Sequence, residues 1–459
     1  MEPLSIEDIV RATDGKLSGS GNGEITGVSV DSRTIRPGEL FIAIRGERFD
    51  GHRFIKDAVA KGAGIVISQS RSVHGNIACP MVLVEDTRKA LGDIAKFYRS
   101  KFRTRVIAVT GSNGKTTTRD MIASILDSRF NVVKAEASYN NDIGVPLTVF
   151  RLGQDIDIGV FEIEMNVFGG TKRLAGICMP EIGVITNIGD THLEFMHNRQ
   201  GVAQEKAELL EALPKNGCAV LNQDDPLVME IGGKYCHSRR LTFGFEKTAD
   251  VYAESLKCTA LGGSEFLLQG RYRVQILLSG KHNVSNCLGA VAVARCLGME
   301  FADIGNEIGK FRPLPMRLRI RHSGDIVVID DSYNANPQSV RAAFDVLCQN
   351  APLGNRVAFL GDMLELGEFS AEAHTRIGRM AAKLLDRVVF VGKMAKYAYS
   401  AAIDAGMNQA NVRLYRNCRD VLDELFDLIR PKDTILVKGS RAMRMELVAE
   451  AIITKYGKD

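Results

Sequence analysis

Short apolar runs recur along this chain, and most end in glycine or a polar residue: VIAVTG, IGVFEIE, EIGVITN and CAVLN, then IVVIDD, VAFLGD, VVFVG and TILVKG. Between them lie stretches whose apolar positions return every three or four residues, such as RDMIASIL and GVAQEKAELLEAL. Unbroken apolar runs of about five residues predict buried strands, and the longer period predicts helices. Their alternation predicts an α/β fold, with mostly parallel sheets clad in helices.

The pattern breaks twice. FRPLPMRL carries two prolines and sets a boundary near residue 312, and DTRKALGDIAKFYRSKF (Asp86 to Phe102) reads as a helix leading into VIAVT. Before that helix, SVDSRTIRPGELFIAI reads as a turn-rich strand pair and FIKDAVAKGAGIVI as a helix followed by a strand. Three domains are therefore expected: a small α/β module over 1–100, a central phosphate-loop domain over 101–312, and a Rossmann-like α/β domain over 313–459. In open α/β sheets ligands gather beyond the carboxyl ends of the strands. Asp331, Asp362, Gly392 and Lys438 to Ser440 should then share one rim.

Composition narrows the class. Hydrophobic residues make up 45% and charged residues 25% of the 459, as in globular proteins. The 59 basic and 55 acidic residues leave a net charge of +4. There is no basic block of the kind that holds nucleic acid, so no nucleic-acid partner is expected. Nine cysteines, with no Cys-x-x-Cys pair, argue against a disulfide framework or a zinc cluster and for a reducing compartment. The opening MEPLSIEDIVRATDGKLSG lacks the apolar core of a signal sequence. No run approaches the ~20 apolar residues of a membrane span. A soluble, cytoplasmic, monomeric protein is expected.

The stretch TGSNGKTTTRDMIASIL holds the first candidate chemistry. Gly111 and Gly114 let backbone N–H groups converge on an anion at a helix N-terminus, Lys115 adds a charge, and the Thr116 hydroxyl can ligate Mg²⁺. The match to the usual phosphate loop is partial, because Val109 stands where its first glycine belongs. Met121, Ile122, Ile125 and Leu126 give the following helix an apolar face.

Four further features are weaker taken singly. Glu162 and Glu164 alternate onto one strand face; Glu164, nearer the carboxyl end, is the preferred Mg²⁺ ligand, and a pair of solvated edge carboxylates is the alternative. His192 follows another strand, and lone histidines are usually structural. Lys206 falls on the apolar stripe of its helix, four residues after Val202 and four before Leu210. Periodicity alone favours a lysine that snorkels to the surface, over one held at a charged site. Asn283 and Asn286 share a helix face, where amides read a base edge or cap the helix.

Together the segments TGSNGKTT, EIEMN, NIGDTHLE, AQEKAEL, LNQDD, GKHNVSN, PLPMRL and IDDSYNANPQS follow the order found in the Mur ligases, and the chain resembles that family over nearly its whole length. DDSYNANP, GDMLELG and LVKGSRAMRMELV resemble the branch that adds D-alanyl-D-alanine, and SVDSRTIRPGELFIAIRGERFDGHRFI resembles its N-terminal substrate module. The resemblance implies a bacterial, ATP-dependent, amide-forming ligase of peptidoglycan precursor synthesis, acting on UDP-N-acetylmuramoyl-tripeptide and D-alanyl-D-alanine with two Mg²⁺ ions.

By the same resemblance, Gly111, Ser112, Asn113, Gly114, Lys115, Thr116 and Thr117 hold ATP, with Asn283 and Asn286 on the adenine side. Arg317 and Asp331 reach the nucleotide from the third domain. Thr116 and Glu164 hold one Mg²⁺ and His192 a second, while Lys206 matches a lysine carbamylated by CO₂ that helps arrange the metal site. Ser32 and Arg33 match the uridine-diphosphate side, with Asp50 and His52 nearby; Asn140 and Asn141 match the sugar-peptide side. Asn334, Asn336, Ser440 and Arg441 lie where the dipeptide would sit. The chain departs from the family at Gly170-Thr-Lys-Arg and at FMHNRQG, with His197.

Closure of the third domain over ATP is implied as well. A relative adding a diamino acid would show an Asp-Asn-Pro-Arg-like motif in place of DDSYNANP, and a folate ligase would not need the DSR…PGELF module. A phosphate-loop ATPase that performs no ligation is the alternative of a different class.

Overall fold

The computed structural model describes every residue except 22, 47–48, 70–78, 137, 260–261, 352–354 and 458–459. Three sheets carry the architecture. The first runs Lys16–Ser18, Met81–Leu83, Ile65–Ser68, Leu40–Ile42, Val28–Ser29, parallel except for the edge strand Lys16–Ser18. The turn-rich segment thus forms a strand pair, Val28–Ser29 beside Leu40–Ile42, in parallel register. The helix Thr87–Arg99 follows, capped by the Asp86 carboxylate, which accepts from the N–H groups of Arg88 and Lys89.

The central sheet has nine strands. Val132–Lys134, Ile158–Glu162, Arg105–Thr110, Ile182–Ile185, Cys218–Asn222, Arg239–Gly244 and Val251–Cys258 are parallel neighbours in that order, and Ser264–Leu268 and Tyr272–Ile276 extend them antiparallel. Arg105–Thr110, which feeds the phosphate loop, lies between Ile158–Glu162 and Ile182–Ile185. The carboxyl ends of all three open on one crevice. The helix Lys115–Leu126 is not the half-exposed helix its apolar face suggested: all its residues except Ser124 are buried. It is packed between the sheet and the long helix Lys281–Cys296. Its charged residues Arg119 and Asp120 survive burial by pairing with one another and with Glu162 and Lys134.

The third sheet runs Arg319–Ser323, Ile326–Asp331, Asp433–Lys438, Asn355–Gly361, Arg387–Val391, Val412–Tyr415, and only Arg319–Ser323 is antiparallel. Its apolar runs bury both faces, one against Phe344, Leu347 and Ile377, the other against Val421, Val448 and Ile452. Asp331 and Lys438 end two parallel strands, Asp362 and Gly392 directly follow two more, and the four do share a rim. Asp362 is a structural pin there: its carboxylate accepts from the N–H groups of Lys393 (2.8 Å), Met394 (3.1 Å) and Ala395 (2.8 Å). Gly392 has φ 128°, and a Cβ there would lie 2.3 Å from the Asp362 carboxyl carbon.

The first sheet and one face of the central sheet share a core, in which Ile42, Ile67 and Val82 meet Leu91 and Tyr98, and these meet Val106 and Phe161. Tyr98 ties the two further, donating to the Leu152 carbonyl at 2.7 Å and accepting from the Glu2 N–H. Among the described residues no helix is long and apolar enough to cross a membrane.

Asp362→Ala strips three backbone donors of their buried acceptor. It should lower stability by about 2–4 kcal/mol, read as a lower thermal midpoint with the far-ultraviolet spectrum retained. An unchanged midpoint would contradict the assigned role.

Candidate active site

A cavity of about 520 Å³ opens where the carboxyl ends of the central and third sheets face each other. Its floor is the phosphate loop. Gly111 (φ 139°) and Gly114 (φ 83°) adopt backbone conformations that favour glycine, and both are crowded. An added Cβ would stand 2.0 Å from Thr186 Oγ1 at the first and 2.1 Å from Asn286 Oδ1 at the second.

The neighbouring strand's exit, Thr186 and Asn187, clamps the loop. Asn187 Oδ1 accepts from the Asn113 N–H (3.0 Å), and the Asn113 carbonyl accepts from Asn187 Nδ2 (2.9 Å) and Thr186 Oγ1 (2.6 Å). Ser112 Oγ accepts from the Gly189 N–H at 2.8 Å. Lys115 Nζ folds over the loop, donating to the Gly111 carbonyl at 2.7 Å, and lies 2.5 Å from Glu164 Oε1.

The acidic side is built differently from its sequence pattern. The strand ends at Glu162, so Glu164 lies past it rather than on its face. The two carboxylates still meet, because Asn140 Nδ2 donates to Glu162 Oε1 (2.9 Å) and Glu164 Oε2 (3.1 Å). Glu162, fully buried, accepts from Thr116 Oγ1 at 2.7 Å and from Arg119 at 3.3 Å. Glu164 also lies 3.2 Å from His192 Nε2, and His192 Nδ1 lies 2.7 Å from Glu365 Oε2. Burial pushes the Glu164 carboxyl up, but Lys115, His192 and Lys206 outweigh it and hold the group well below the usual carboxylate range. Burial opposes the charge on His192, yet its hydrogen bonds to Glu164 and Glu365 raise it from 6.5 to about 8.

The third sheet supplies the roof. Arg317 donates to Thr116 Oγ1 at 2.9 Å, and its guanidinium lies 4.0 Å from the centre of the Tyr333 ring. Asn336 Nδ2 donates to Asn113 Oδ1 at 2.7 Å, and Asn113 Nδ2 donates to Gln338 Oε1 at 3.1 Å. Asp331 accepts from Lys438 Nζ (2.5 Å) and the Leu318 N–H (3.2 Å), while Lys438 also donates to the Asn334 carbonyl at 2.8 Å. Burial and the Lys438 charge push His282, on the wall, down to about 4, so its ring is neutral at pH 7.

Comparison with known proteins fits this architecture at every level. Three family models match: the Mur ligase family catalytic domain over residues 24–99, the Mur ligase middle domain over 109–294 and the Mur ligase glutamate ligase domain over 316–441. The UDP-N-acetylmuramoyl-tripeptide–D-alanyl-D-alanine ligase of Escherichia coli is 36% identical, across 97% of this chain and 99% of its own. The enzyme of that name from Synechocystis is 34% identical, across 94% and 92%. The chain belongs to the Mur ligase family. Its structure superposes on MurF from Acinetobacter baumannii with TM-score 0.90 at 32% identity, covering 99% of each chain. It matches MurF ligase from Thermotoga maritima, solved in complex with ADP, with TM-score 0.83 at 27% identity over 94% and 97%.

In this Mur ligase the cavity gathers most of the residues singled out from the sequence. Ser112, Asn113, Gly114, Lys115, Thr116, Thr117, Asn140, Glu164, His192, Asn283, Asn286, Arg317, Asp331, Asn334, Asn336, Ser440 and Arg441 line it. Asn283 Nδ2 donates to the Ser279 carbonyl, and Asn286 Nδ2 to Asn283 Oδ1. Asn141 does not line it; its Oδ1 accepts from the N–H groups of Ile143 and Gly144 and starts a short helix. Ser32 and Arg33 stand apart in the turn between Val28–Ser29 and Leu40–Ile42, where Lys61 Nζ donates to both their carbonyls and Arg33 pairs with Asp31. Asp50 and His52 pair with each other there.

Lys206 does not snorkel. It is 1% exposed, and its Nζ donates to Glu205 Oε2 at 2.8 Å, while Thr171 donates to the other Glu205 oxygen. The Gly170-Thr-Lys-Arg departure thus contributes a partner to the Lys206 ion pair. Glu365 and Gln338 were not found from the sequence. Both lie in quoted motifs, but a carboxylate or amide in a turn carries no signal until a partner faces it.

Asn336 has two separable jobs. It caps the helix Pro337–Asn350 by accepting from the Ser339 N–H, and it donates to the phosphate loop. Asn336→Asp keeps the acceptor and loses the donor; Asn336→Ala loses both. Both variants should turn over substrate roughly 10-fold more slowly, with only Ala lowering the thermal midpoint, by about 1 kcal/mol of stability. Wild-type turnover in the Asp variant would reduce the residue to a helix cap.

Proposed function

We propose that this Mur ligase joins D-alanyl-D-alanine to the terminal carboxylate of UDP-N-acetylmuramoyl-tripeptide, consuming ATP and releasing ADP and phosphate. The product is the UDP-N-acetylmuramoyl-pentapeptide precursor of peptidoglycan, made in the bacterial cytoplasm. The observation that carries this reading is a phosphate loop roofed by polar groups of a second sheet, in a chain similar along nearly its whole length to ligases of that name. Residues 1–100 would bind the UDP-sugar, 101–312 ATP and 313–459 the dipeptide.

Hydroxide is a poor leaving group, so a carboxylate must be activated before an amine can displace it. The tripeptide carboxylate attacks the γ-phosphorus of ATP, giving an acyl phosphate and ADP. The dipeptide amine then attacks the acyl carbon, loses a proton and expels phosphate. Lys115 and the loop N–H groups stabilise charge on the transferring phosphoryl group. Arg317 adds a second cation from the roof. Cover by the third sheet keeps water from the acyl phosphate.

The donor set suits Mg²⁺ brought in with the nucleotide. Among the described residues no group of three or more His, Cys, Asp or Glu forms a ready metal cage. Mg²⁺ is commonly held by one or two carboxylates with substrate phosphates completing its shell. Thr116 and Glu164 would hold one ion and His192 another, and these ions would neutralise phosphate charge. A carbamate on Lys206 would replace an amine that here donates to the Glu205 carboxylate and whose charge acts on Glu164 and His192.

Mass spectrometry of a reaction containing protein, ATP, Mg²⁺, UDP-N-acetylmuramoyl-tripeptide and D-alanyl-D-alanine tests the reading. The nucleotide-sugar should gain one dipeptide, with phosphate released only when both acceptor and amine are present. Phosphate release indifferent to both would favour an ATPase without ligation. Separately, Arg317→Ala should cut kcat by roughly 10²-fold without unfolding the protein. Unchanged kcat would remove Arg317 from the machinery.

A further inference from the structure

Cys218 opens the strand Cys218–Asn222, and Cys296 closes the helix Lys281–Cys296, 78 positions later. The fold brings their sulfurs to 2.9 Å, although neither belongs to a Cys-x-x-Cys motif. A disulfide bond of about 2.05 Å would need the sulfurs to move by less than about 1 Å. Cys218 is buried and Cys296 half-buried against the same core, so Cys296 is the more accessible residue of the pair. Arg239 stands in register with Cys218 on the adjacent strand, and Asp250 opposes its charge. The Cys218 thiol hydrogen bond, helped by Arg239, draws the Cys296 thiol below its ordinary value. The same hydrogen bond, with burial, pushes the Cys218 thiol up, so Cys296 is the thiolate of the pair and Cys218 ionises only after that hydrogen bond is lost.

We propose that Cys218 and Cys296 are a thiol–disulfide couple, oxidised by a low-molecular-weight disulfide such as oxidised glutathione. The Cys296 thiolate attacks one sulfur of the reagent, forming a mixed disulfide and releasing one thiolate. Cys218 loses its proton and attacks the Cys296 sulfur, expelling the second thiolate. Two protein thiols are oxidised to one disulfide, one reagent disulfide is reduced to two thiols, and the two protons leave with them.

The bond would strap the far end of the helix to the central sheet. That helix has 16 residues, about 24 Å of length, and carries Asn283 and Asn286 at its other end. The cross-link therefore stabilises the sheet–helix unit and leaves the cavity open.

The test uses the full-length protein incubated with oxidised glutathione, then denatured and alkylated. Two of the nine cysteines should escape alkylation, with a mass loss of about 2 Da and a peptide map joining Cys218 to Cys296. The oxidised protein should melt roughly 5–10 °C higher than the reduced one, with turnover within about twofold and full reversal by dithiothreitol. Cys296→Ser and, as a second variant, Cys218→Ala should each abolish the mass loss and the shift. Nine alkylated thiols after oxidation would overturn the proposal. So would a stable glutathionyl adduct without cross-linking, or a mass loss that survives in both variants.

Discussion

The peptide of Asn113 is the point on which the rest of the site depends. A phosphate loop must keep N–H groups free for its anion, so its bracing is confined to a few peptides, and here the N–H groups of Ser112 and Asn113 are given up to Asn187. Here the stiffness is borrowed. Thr186 and Asn187 grip the peptide from the neighbouring strand's exit, and Asn336 and Gln338 grip the side chain from the start of the helix Pro337–Asn350. Because the strand leading into the loop and the strand ending at Ile185 are parallel neighbours, their exits lie side by side, and one can brace the other. The same register places Glu162 at the end of the strand on the opposite side.

Charge is balanced locally around that loop. Lys115 meets Glu164, Arg119 meets Asp120 and Glu162, Lys206 meets Glu205, and Lys438 meets Asp331. An unpaired charge in such places would carry a penalty of several kcal/mol. Pairing lets the site store cations and carboxylates within a buried crevice, where an arriving nucleotide can exchange partners with them. Glu164 is the clearest case, since one carboxylate serves Lys115, Asn140 and His192 together. Its ionised state is favoured by those neighbours against the effect of burial.

The joint between the central and third sheets carries polar contacts at the cavity beside an apolar one, where Phe369 packs on the core around Leu193 and Met196. Arg317 to Thr116, Asn336 to Asn113 and Glu365 to His192 are hydrogen bonds between groups that water could also satisfy. The first two sheets, by contrast, share one continuous apolar core.

Much of this was legible in the sequence because local patterns obey local physics. Buried strands must be apolar runs, a phosphate loop must be glycine-rich, and the helix after it must begin at Lys115. Those constraints act within a few residues, so the order of elements, the loop and the polar strand ends at Asp331 and Lys438 could be read without coordinates. Other properties concern partners far apart in the chain. The burial of Lys206, the meeting of Glu162 and Glu164 at Asn140, the contact of Gln338 with the loop and the approach of Cys218 to Cys296 all depend on which strands become neighbours. Periodicity sent Lys206 to the surface because a helix stripe says which face is covered and not what covers it. The sequence by itself determined the elements and the chemistry each could offer. Tertiary structure alone decided which of those groups would face one another, because hydrogen bonds and ion pairs depend on distance in space and not along the chain.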